Sequence, residues 1–229
     1  MKRRSSRHDD GKDPQVHSRA FMGLVAEKPW ADVTMTAVAE RAGIKLSTLR
    51  KAYDGRMAIL ADFNRGIDAG VFDGTDPELA DESALDRLFD VLTRRLDALE
   101  PQRPALQALV RAARRDPVLV AELNSLALTS LRWMLIAAGI KAEGVRGLAL
   151  TQALVVAYFK VLRVWFKDED PGKVRTMAAL DRGLKRGADA MKRISRAEGW
   201  LAPFKRAFKE RARKPRARAD EEPDAAVGA

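Results

Sequence analysis

A chain of 229 residues with 46% apolar content is long enough for a helical body with a core of ordinary size plus a small appended domain. Its formal charge of +10 favours a polyanionic partner, and the lack of cysteine excludes disulfides and thiolate chemistry. The opening MKRRSSRHDDGKD is basic with no apolar run behind it, and it is too acidic for a transit peptide, so the expected compartment is the cytoplasm.

Residues 1–13 read as a disordered basic arm, in which Lys2, Arg3, Arg4 and Arg7 are placed to track phosphates ahead of whatever follows. The stretch from Val33 to Leu60, VTMTAVAERAGIKLSTLRKAYDGRMAIL, predicts two short helices around a tight turn with a third directly behind. Thr34 is suited to cap the first, and Met35, Val38 and Ala39 give it an apolar face at helical spacing. Gly43 ends it, since glycine takes the positive backbone dihedral of a sharp exit. A second helix starts at Ser47 or Lys45, with Ile44, Leu46, Leu49 and Tyr53 as buried candidates and Thr48, Arg50 and Lys51 facing outward. Small polar and basic side chains on such a face suit a DNA major groove.

This stretch resembles the DNA-binding domain of the TetR family of bacterial repressors. The match rests on Thr34, the segment AERAG from Ala39 to Gly43, the pair Thr48-Leu49, the aromatic Tyr53, and Arg56 followed by Ile59 and Leu60. The resemblance implies that Ala37, Lys45, Ser47, Thr48 and Lys51 lie near DNA, with Thr34, Arg50, Tyr53 and Arg56 completing the set. Two positions depart from the family pattern: Arg50 replaces a phosphate-touching aromatic, and Arg56 replaces a lysine. Either arginine retains the capacity to bind a phosphate. The resemblance also implies an all-α fold, with an N-terminal helix-turn-helix domain at 14–70 and a larger helical effector-binding and dimerisation domain at 71–198.

The third helix is expected from Arg56 to about Ala69, and AGVFDGTDP, from Ala69 to Pro77, reads as the break between domains. A helix from about Glu82 to Leu99 carries Leu85, Leu88, Phe89, Leu92, Leu96 and Leu99 on one stripe, and Pro101 and Pro104 bracket the next connection. Asp116-Pro117 opens another helix, whose apolar spacing persists until Gly139. Leu148 to Phe166 is apolar almost all round, but Gln152, Lys160 and Arg163 argue against a membrane span and for a buried helix. A last helix follows from Pro171 to about Arg196. By the same resemblance these two helices pack against their copies in a homodimer, with Leu154, Val161, Leu180 and Leu184 at the interface.

The resemblance implies an effector in the body, which the apolar composition suits to a small apolar or lipid-like molecule, and Trp133, Met134, Tyr158, Phe159 and Trp165 are the side chains large enough to line its pocket or to be core. The segment 199–229 is expected to be an amphipathic stretch and a disordered tail. Trp200, Leu201, Phe204 and Phe208 recur there at helical spacing among Lys205, Arg206, Lys209 and Arg211. Residues 200–218 therefore suit an anionic membrane, nucleic acid, or the protein's own body. Val164 to Gly187 is also similar to the terminal helices of a TetR-fold lipid-binding protein that assists ubiquinone biosynthesis.

Catalysis is not expected. His8 and His17 stand apart from the predicted body, no phosphate-binding loop or dinucleotide fingerprint is present, and Asp168 and Asp170 read as turn and capping residues. Neither a metal nor a cofactor is implied. The sequence thus predicts a dimeric regulator binding an operator in double-stranded DNA, a repressor released by its effector. The alternative is a lipid-binding protein at a membrane surface, without specific DNA binding.

Overall fold

A computed structural model describes residues 14–74, 79 and 81–189, and among these the regular secondary structure is helical with no strand. The helices are α1 (Pro14–Glu27), α2 (Met35–Ala42), α3 (Leu46–Ala52), α4 (Arg56–Asp73), α5 (Ala84–Leu99), α6 (Arg103–Ala113), α7 (Pro117–Ala137) and α8 (Gly144–Trp165), followed by helix α9 over 174–189. The basic arm at 1–13 and the aromatic segment from Trp200 lie outside the described residues.

Most boundaries follow from local chemistry. Ser83 caps α5 by accepting from the Asp86 amide, and Asp116 caps α7 by accepting from Val118 and Leu119, with Pro117 at the position where a missing amide costs nothing. Asp168 and Asp170 act as expected at the start of α9. Asp168 accepts from both the amide and the hydroxyl of Thr176, while Asp170 accepts from the amides of Gly172 and Val174. The Thr176 bonds hold the Asp168 carboxyl below the usual carboxylate range.

Three boundaries differ from the sequence expectation, and one is the start of α9 at 174 rather than at Pro171. Helix α4 continues past Ala69 to Asp73, because Val71 buries itself in the body and one further turn is needed to place it. Helix α8 begins at Gly144 rather than Leu148, and at Gly147 it crosses the preceding loop so closely that an added Cβ would sit 2.2 Å from the Ala142 carbonyl carbon. Residues 14–27, for which no helix is expected above, form α1.

Two hydrophobic cores result. The first joins Phe21, Met22, Leu24 and Val25 of α1 to Val38 and Ala39 of α2, Leu49 of α3, Ile59 and Leu60 of α4, and Ala105 and Leu109 of α6. The second joins Val71 of α4 to α5, α7, α8 and α9 through Leu92, Leu96, Met134, Leu154, Trp165 and Leu184, among others. Phe63 and Leu106 pack against both cores, so α4 and α6 are the elements through which the N-terminal helices and the body share packing.

By length and composition α7 and α8 could each cross a bilayer. Their inward faces instead close one core with α4 and α5, and Lys160 and Arg163 of α8 are exposed.

Candidate nucleic-acid interface

The helix-turn-helix is set by its caps. The Thr34 hydroxyl accepts from the Ala37 amide at 3.2 Å and starts α2. Gly43 ends it at φ 68°, a left-handed conformation glycine adopts without strain, and the Ile44 amide then returns to the Ala39 carbonyl at 3.0 Å. Lys45 lies at the N-cap of α3 in extended conformation, which resolves the start of that helix in its favour over Ser47.

Helix α3 is anchored by Leu49, fully buried under α1, α2 and α4. On its other side Lys45, Ser47, Arg50 and Lys51 are exposed and Thr48 is half-buried, which leaves a continuous outward face of small polar and basic side chains. Thr34 is also exposed and Ala37 half-buried, both at the start of α2. Arg50 pairs with Asp54 at 2.9 Å, but both side chains are well exposed, so a phosphate could displace the carboxylate at small cost. Leu46, expected inside, is 46% exposed because it lies in the first turn of α3 on the outward side.

Two residues expected at DNA are committed to the protein instead. Tyr53 is buried, its ring edge-on to His17 with centroids 5.7 Å apart, and its hydroxyl donates to Asp62 at 2.8 Å. Arg56 lies 3.9 Å over the Trp30 ring and donates to the Trp30 carbonyl at 2.7 Å. Both side chains therefore tie α3 and α4 to α1 and the turn after it. They position the outward face rather than form part of it.

Sequence reasoning also missed a clamp between α1 and α2. Arg41 binds the Glu27 carboxylate through both terminal nitrogens, the second bond at 2.6 Å, and this holds the Glu27 carboxyl below its ordinary range. Gly23 makes room for it, since a Cβ there would lie 3.0 Å from the guanidinium. His17 lies outside the body, as expected, but it is buried within α1 beside Tyr53. The spacing of His17, Phe21 and Leu24 at i, i+4 and i+7 was the available signal for that helix.

In the body, the five side chains expected to line one pocket do not converge. Met134, Tyr158 and Trp165 are core residues, whereas Trp133 and Phe159 are exposed on α7 and α8. Trp133 borders an open groove of about 510 Å³ together with Leu128, Ile136 and Leu148. The body also holds a buried polar cluster: Arg95 of α5 pairs with Asp68 of α4 at 3.2 Å, and Asp68 accepts from Ser130 of α7 at 2.8 Å. Burial dominates at Asp68 and pushes its carboxyl up despite the guanidinium. Tyr158 approaches the same cluster; burial raises its phenol to about 12, and its hydroxyl has no hydrogen-bond partner among the described residues.

The four residues expected at a dimer interface are likewise inside the chain. Leu154, Val161, Leu180 and Leu184 all belong to the second core. The large apolar side chains that α8 leaves exposed are Val145, Leu148, Val156 and Phe159, at three-, eight- and three-residue steps along one side. The apolar character of α8 all round is thus divided between a covered and an uncovered face.

No protein-family model matches the chain, and no curated protein matches it. Among solved structures it is similar to a TetR transcriptional regulator from Nitrosomonas europaea ATCC 19718, with a TM-score of 0.58 and 18% identity over 76% of this chain and 97% of that one. A TetR transcriptional regulator from Rhodococcus sp. RHA1 gives a TM-score of 0.55 and 22% identity over 76% and 93% of the two chains. The fold is therefore the all-α fold of TetR regulators, with the helix-turn-helix at α2 and α3.

Proposed function

Proceeding from that fold, we propose that the chain is a sequence-specific DNA-binding transcriptional regulator of the cytoplasm, a homodimeric repressor released by a small apolar effector. The observation that carries this reading is the outward face of α3, where Lys45, Ser47, Thr48 and Lys51 are presented by a short helix whose other side is locked into a core. A rigid helix with small polar and cationic side chains is what a major groove accepts, and Arg50 adds a phosphate contact. The DNA-binding domain spans 14–70 and the effector-binding and dimerisation domain 71–198. Within the body, Tyr158 is the pocket candidate whose unpaired hydroxyl rewards a ligand acceptor atom.

Replacing Lys51 with alanine should weaken DNA binding across sequences and reduce the salt slope of log K by about one, while the dimer stays folded. Anisotropy of labelled DNA at several salt concentrations measures it. An unchanged slope in a folded variant would remove Lys51 from the DNA face.

The dimer is assigned to the uncovered face of α8. Phe159→Glu should yield a folded monomer in sedimentation, because the residue is already 44% exposed and the charge costs the single chain little. Leu184→Glu should instead unfold the chain, as it buries an unpaired charge. A Phe159→Glu protein that remains a dimer would move the interface elsewhere.

A further inference from the structure

A second cavity, of about 570 Å³, lies between the end of α1 with its following turn and the last turns of α6. Its apolar lining comes from Val25, Pro29 and Trp30 on one wall and Ala108, Leu109 and Ala112 on the other. Four cations stand around it: Lys28 on the first wall, and Arg111, Arg114 and Arg115 on the second. Arg111 lies in the last turn of α6, and Arg114 and Arg115 follow in the turn that ends it.

Glu27 also lines the cavity, but its carboxylate and that of Asp116, next to Arg115, are already engaged. Glu27 is held by both nitrogens of Arg41, and Asp116 accepts from the amides of Val118 and Leu119. No described carboxylate forms an ion pair with Arg111, Arg114 or Arg115. One cation near the end of α6 would complement the helix dipole; three of them with Lys28 around an apolar floor exceed that need.

We infer that this cavity binds a small anionic amphiphile, a molecule with a carboxylate or phosphate head and an apolar body. The arginine forks match either head, and the volume falls within the range of small-molecule sites. DNA phosphates alone would have no use for the apolar floor. The site is distinct from the Trp133 groove and from the buried Asp68–Arg95 cluster. Its two walls meet where α6 closes the first core over α1.

The test titrates the full chain by calorimetry with decanoate and with decyl phosphate, each below its micelle concentration, against decanol and decyltrimethylammonium. At least one anion should bind once per chain, about tenfold or more tighter than the neutral and cationic analogues. Arg111→Glu combined with Arg114→Glu should weaken that binding by about tenfold or more, and so should Ala112→Phe, which fills the floor and keeps every charge. Arg132→Glu, beside the Trp133 groove, should leave it unchanged. No preference for the anions, or wild-type binding in both folded cavity variants, would overturn the inference. Loss of DNA affinity in the double variant with anion binding intact would assign the arginines to DNA phosphates and equally overturn it. The calorimetry contains no DNA, so its outcome is independent of the regulator reading.

Discussion

Replacing Arg95 with methionine is expected to lower the unfolding free energy by about 3–5 kcal/mol at neutral pH, because it strands the Asp68 carboxylate in the body with Ser130 as its remaining hydrogen-bond donor. Removing one member of a buried pair costs far more than the pair contributes, so Asp68→Leu combined with Arg95→Met should recover much of the loss. Acid should soften the effect. The folded-state pKa of Asp68 already lies above its ordinary value of 3.8, so the folded chain binds the proton more tightly than the unfolded chain does. The contribution of this group to stability is therefore full below about 3.8 and is lost as pH rises through the folded value. Without Arg95 the folded value climbs further and the window widens upward. Urea unfolding of the single and double variants across pH measures all of this. A single variant within about 1 kcal/mol of wild type would mean that the cluster is not closed as described.

Trp165→Ala should cost a comparable amount, about 3–5 kcal/mol, since this side chain is fully buried at the end of α8. Its indole N–H donates to Glu100 at 3.0 Å and Arg103 lies 4.6 Å from the ring centroid, while Arg103 also donates to the Asp168 carbonyl at 3.0 Å. The ring therefore organises the corner where α5, α6, α8 and the start of α9 meet. Trp165→Phe keeps most of the volume and loses one hydrogen bond, so its cost should fall near 1 kcal/mol. If Trp165 instead lined an effector cavity, the alanine variant would lose ligand affinity and little stability, and thermal unfolding would separate the two outcomes.

The helix-turn-helix was legible because its signals are local. A capping threonine, a left-handed glycine and an apolar face at helical spacing lie within one short segment, and each was found where the sequence placed it. What the sequence could not resolve was which side of an amphipathic residue wins. Tyr53 and Arg56 read equally well as DNA contacts, and their commitment to Asp62 and Trp30 depends on α1 and on the turn after it. The same limit applies to α8, which is apolar on nearly every side. Its covered face takes Leu154 and Val161, and its bare face shows Val156 and Phe159, a division set by how α8 packs into the second core rather than by composition. Ion pairs across long sequence separations, such as Glu27 with Arg41 and Asp68 with Arg95, have no local signature.

The most direct test of the DNA-binding account is recovery of genomic fragments on the purified full-length protein, followed by sequencing of what is retained. The account predicts a shared motif with two-fold symmetry, its half-sites about 34 Å apart or a multiple of that, and its loss when Lys45, Ser47 and Thr48 are replaced together by alanine in a protein that remains folded. Retention that tracks only fragment length and disappears with salt, without a common motif, would contradict it.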